Sequence, residues 1–72
     1  MMFDEIKALV TLGARVSLEA HALTTPQWVE LSARAAQTGS GLTVRRAEKL
    51  THGLREQLAE VAGSAVTFEI GA

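Results

Sequence analysis

Residues 63–70 read Gly-Ser-Ala-Val-Thr-Phe-Glu-Ile: a turn signal, then strict alternation of apolar and polar side chains. A period of two marks a strand that buries only one of its faces. The same pattern occurs twice earlier, as Gly13-Ala-Arg-Val-Ser-Leu-Glu19 and Gly39-Ser-Gly-Leu-Thr-Val-Arg45. The leading glycines, Gly13, Gly39 and Gly63, stand 26 and 24 residues apart. Repeats of about 20 to 50 residues signal stacked supersecondary units. A second shared element follows the first two copies, Leu23-Thr24 and Leu50-Thr51, each opening a helical stretch.

The helices are placed by their ends. Thr24 is a good N-cap, with Gln27 three residues on as its capping-box partner and Pro26 in the first turn. Leu23 and Trp28 occupy the hydrophobic-staple positions, and Gly39 is the expected stop. The inward stripe is Trp28, Leu31, Ser32, Ala35 and Ala36. The second helix runs from Thr51 to just before Gly63, about one turn shorter, with Leu50, Leu54, Leu58, Val61 and Ala62 at helical spacing. Near the N-terminus Phe3, Ile6, Leu9 and Val10 form another stripe that stops at Gly13. The predicted order is αβαβαβ over residues 1–72, one small βα-repeat domain of the α/β class. Strand–helix–strand units imply parallel strands joined by right-handed crossovers.

The alternation also predicts which face is wet. Val16 and Leu18 oppose Arg15, Ser17 and Glu19; Leu42 and Val44 oppose Thr43 and Arg45; Val66, Phe68 and Ile70 oppose Thr67 and Glu69. A parallel sheet covered on both sides carries near-continuous apolar strands. These strands do not, so the helices belong on one face of a three-stranded sheet and the opposite face is polar and open. The Leu/Val-x-Leu/Val strands and the Leu-Thr openings between Gly13 and Ile70 resemble leucine-rich repeats, and are similar to short βα-repeat segments of bacterial proteins. That resemblance implies strands lining a presented surface. The chain departs from it at His21 and Ala47, near the place of the asparagine ladder.

Stacked in chain order, the strands put three rows on the polar face: Ser17, Thr43 and Thr67; Glu19, Arg45 and Glu69; Arg15, Gly41 and Ala65. Strands about 4.8 Å apart would let Arg45 bridge both acids. The third row is small on two strands, which lets another backbone come close. The third strand carries none of the lysines, prolines or covering elements that blunt an edge, and only Gly71 and Ala72 follow it. The expectation is a homo-oligomer through that edge, a dimer before a head-to-tail stack, with Phe68 at the contact. The candidate interface is Arg15, Ser17, Glu19, Thr43, Arg45, Thr67, Phe68 and Glu69, and a protein partner on the polar face fits the same rows.

Composition narrows the alternatives. A chain of 72 residues buries only about 60% of its unfolded surface, so its core is marginal without a staple. There is no cysteine to supply one. Seven basic residues are scattered among eight acidic ones, and the net charge of −1 speaks against nucleic acid, leaving a small antitoxin-like regulator as the second choice. Asp4 and Glu5 stand where a secretory leader would be basic, and no apolar run spans a bilayer; the expected setting is cytoplasmic. Phosphate loops run strand to helix, whereas Gly39-Ser-Gly and Gly63-Ser run helix to strand. Ser17 is the one serine near a histidine, His21, and it lies on the wet face. His21 and His52, with Glu19 or Glu48, would make at best a weak metal or acid–base site; the simpler reading is exposed turn residues. Neither enzymatic activity nor a cofactor is predicted.

Overall fold

The computed structural model describes residues 2–70. It has three α-helices, α1 (Phe3–Thr11), α2 (Thr25–Thr38) and α3 (His52–Ala62), and three strands, β1 (Val16–Glu19), β2 (Leu42–Arg45) and β3 (Val66–Glu69), in alternating order. Short 3₁₀ turns follow β1 (Ala20–Ala22) and β2 (Ala47–Lys49), and a third (Gly63–Ala65) leads into β3. The sheet is parallel, in the order β1-β2-β3.

The second and third helices start and stop for local reasons. Thr24 accepts from the Gln27 backbone while the Gln27 side chain accepts from the Thr24 backbone, closing the capping box on α2. Thr51 caps α3 by accepting from the backbone of Leu54. Gly39 ends α2 in the left-handed region, at φ 71°, where a Cβ would be strained. Residue 63 is at φ 56° and ψ −124°, a pair that only glycine adopts readily.

The three helices lie side by side, α2 between α1 and α3, and all feed one core. Ile6 and Val10 come from α1, Trp28, Leu31 and Ala35 from α2, and Leu54 and Leu58 from α3. The sheet contributes Val16, Leu18, Leu42, Val44, Val66 and Phe68, the apolar half of every strand. Its polar half points away: Ser17, Arg45, Thr67 and Glu69 are exposed. The helices therefore cover one face only, as the alternation predicts.

Four expected core positions differ. Leu9 of the α1 stripe is 38% exposed. Ala36 is exposed, and Val61 is 37% exposed, because each sits at the margin of its helix stripe. Ile70 lies one residue beyond the end of β3 and is 70% exposed.

Candidate interaction surface

Parallel pairing sets the polar rows in register. Ser17, Thr43 and Thr67 face one another across the sheet, as do Glu19, Arg45 and Glu69. The hydroxyl row is thus continuous over all three strands. The charged row does not pair as its order implies. Glu19 is taken instead by His21, at 3.2 Å from Nε2, and by Arg46, at 3.8 Å from Nε. Among the described residues Arg45 forms no ion pair. The reason lies in the backbone: Arg46 is the one non-glycine residue described with positive φ (57°), and this left-handed step at the end of β2 brings the neighbouring guanidinium, not that of Arg45, to Glu19.

The third row opens a groove. Where the strands begin, between them and the C-terminal ends of α2 and α3, lies a polar hollow of about 430 Å³. Arg15, Gly41 and Ala65 line it, with the hydroxyls of Thr43, Thr67 and Ser64. A Cβ on residue 41 would stand 3.2 Å from Cγ of Arg15, so the absence of a side chain lets the arginine lie across β2. The small third row is therefore occupied in part by the chain's own guanidinium.

Burial separates the strands. Leu42 and Val44 of the central strand are 1% and 0% exposed. Val66 and Phe68 of β3 are only half-buried, and Ile70 beyond them is open. The outer flank of β3 thus presents apolar side chains together with backbone N–H and C=O groups that no strand among the described residues pairs.

The two histidines sit at equivalent ends of the repeat and are both exposed. His21 pairs with Glu19 and His52 with Glu56, at 2.9 Å, so each answers to its own carboxylate. No group of three or more potential metal ligands occurs among the described residues. No helix among them is long and apolar enough to cross a membrane.

Two features were readable but hidden by the strand pattern. Ala20 and Ala47 are both buried in the 3₁₀ turns, each three residues before the Leu-Thr pair. The strands repeat at 26 residues, from Val16 to Leu42, whereas these alanines repeat at 27. The extra residue is Arg46, and its left-handed backbone absorbs the insertion without shifting the sheet register. Comparison with protein-family models, with curated proteins and with solved structures gave no match.

Proposed function

We propose that this chain is a non-enzymatic interaction module that joins a second copy through the edge of β3 and offers its polar strand face to a protein partner. The observation that carries the reading is the outer flank of β3, where Val66 and Phe68 are half-buried and Ile70 is 70% exposed beside a backbone edge that no strand among the described residues pairs. An added strand would satisfy those backbone groups and cover those side chains in one step. The likeness of the strand pattern to leucine-rich repeats supports the second half of the proposal, since strand faces are the presented surface of such solenoids. The continuous hydroxyl row and the groove beside it give that face polar groups to offer.

Light scattering tests the self-association. The expected result is a dimer mass at high micromolar concentration, shifted to the monomer in Phe68→Lys and in Ile70→Lys. The second variant matters because Ile70 takes no part in the core, so its effect is not a folding defect. A wild-type chain that stays monomeric at that concentration overturns the reading.

A further inference from the structure

Resting on the self-association proposed above, we infer that the two copies pair β3 to β3, antiparallel, with the twofold axis passing between the two Phe68 residues. Directly opposite residues of an antiparallel pair project to the same face. For the two helix layers to share one face, and the two polar faces the other, opposite residues must both be even or both be odd in number. An axis at any residue meets that condition; those that pair at least three residues within 66–70 lie at Thr67, at Phe68 or at Glu69.

The side chains choose among them. An axis at Glu69 sets the two Glu69 carboxylates against each other, and like charges directly opposite destabilise a pair. An axis at Thr67 sets Ile70 against Ser64 of the second copy, leaving the most exposed apolar residue near β3 facing a hydroxyl. An axis at Phe68 sets Phe68 against Phe68, Val66 against Ile70 and Thr67 against Glu69. Every apolar residue of the flank then meets an apolar one, and no two like charges meet. The alternative head-to-tail stack, with β3 beside β1 of the next copy in the register of the existing sheet, opposes Glu69 to Glu19. It also sets Ile70 against Ala20, which the single chain already buries in the turn after β1.

In this pairing Ile70 acquires a role that the single chain does not give it. It extends the strand by one residue and covers Val66 of the second copy. The product is a six-stranded sheet with all polar strand faces on one side.

The chain contains no cysteine, so introduced ones report the register directly. Opposite residues have Cα atoms about 4.5–5.5 Å apart, within disulfide range, whereas diagonal ones lie about 7–8 Å apart and do not bridge. Each register crosslinks a different variant under mild oxidation. The inference expects Phe68→Cys to give a band of twice the chain mass on a non-reducing gel, and Thr67→Cys and Glu69→Cys to do so when mixed but neither alone. The mixed pair lies on the exposed face, so it reads the register even where Phe68→Cys loses its fold. Crosslinking of Thr67→Cys alone or Glu69→Cys alone overturns the register while leaving self-association standing. Crosslinking of Ser17→Cys with Thr67→Cys, with none of the β3 variants pairing among themselves, shows the head-to-tail stack instead. A wild-type monomer by light scattering, with no variant crosslinking, removes the self-association itself and leaves the edge to a strand of another protein.

Discussion

The first βα unit, β1 through α2, and the second, β2 through α3, follow one plan and are finished differently. Their N-caps, Thr24 and Thr51, and their buried Leu31 and Leu58 occupy the same places, 27 residues apart. In the first unit the position four after the cap is Trp28, fully buried, whose indole Nε1 donates to the carbonyl of Ala20 at 2.9 Å. That single side chain ties the 3₁₀ turn to the helix and fills the centre of the core. In the second unit the same position is Arg55, half-buried, and its Nε is shielded from solvent with no hydrogen-bond partner among the described residues. The position before it also differs. Gln27 completes a capping box, whereas Leu54 gives up the box and fills core space. The two units share one backbone plan and differ in packing: the first is closed on itself, and the second runs out toward the open edge of β3.

The largest effect should come from breaking the closed unit. Trp28→Ala removes a fully buried ring and leaves the Ala20 carbonyl without its donor. Such truncations cost about 3–5 kcal/mol. Total stability runs at roughly 0.05–0.15 kcal/mol per residue, so a chain this short is left near its folding threshold. Urea unfolding followed by circular dichroism measures the loss. A fall below about 2 kcal/mol, outside the range for buried aromatics, would mean that the first unit does not centre the core.

A smaller effect, of opposite sign, should come from finishing the second unit. Arg55→Met keeps an unbranched apolar stem and removes the shielded Nε. A buried donor without a partner costs about 1–3 kcal/mol, and a gain of about 1 kcal/mol is expected for a half-buried site. The readout is a higher urea midpoint with an unchanged slope. A lower midpoint would show that the guanidinium contributes to the second unit through contacts its hydrogen bonding does not reveal.

The two units also show what the sequence made legible. Strand direction follows from the strand–helix–strand order, and the shared rows and polar face follow from alternation at Val16–Glu19, Leu42–Arg45 and Val66–Glu69, because a period of two admits one side-chain assignment once a core exists. Helix starts followed from Thr24 and Thr51, whose hydroxyls act within a few residues. What stayed hidden depends on distance in space. The partner of Glu19 was not legible because it is set by the backbone of Arg46, whose left-handed φ is a property of the turn and not of arginine. The polar groove was legible only as a row of small residues; its depth comes from the ends of α2 and α3 behind it. The contrast between Trp28 and Arg55 required aligning the units on their caps, since aligning them on their strands is out of step by the one residue at Arg46.

The smallest expected effect concerns how the closed unit is held from its other side. Lys7 of α1 donates to Glu30 of α2 at 2.9 Å, the one ion pair among the described residues that joins two helices. In the second unit the corresponding acid–base contact, His52 with Glu56, stays within α3. The hydrogen bond from Lys7, followed by the charge of the same ammonium, holds the Glu30 carboxyl below its ordinary value. The sign of the pH dependence follows. A carboxyl whose pKa is lower in the folded chain contributes stability that is fully present above its unfolded pKa, and that is lost as the pH falls through the folded value. Both partners are partly exposed, so the contribution is small and screened by salt. The expected result is that wild type is slightly more stable than Glu30→Gln at neutral pH and low salt. The two curves should converge as the pH falls below about 4, the ordinary carboxylate range. The test is the urea midpoint of both chains across that range, repeated at high salt, where the difference should vanish at every pH. If the two chains instead track each other at low salt from neutral pH downward, α2 is seated without help from this ion pair, by packing and by the hydrogen bonds from Trp28 and Thr38. The first unit then owes its closure to Trp28 and the core beneath it, and the contrast with the second unit narrows to that one position.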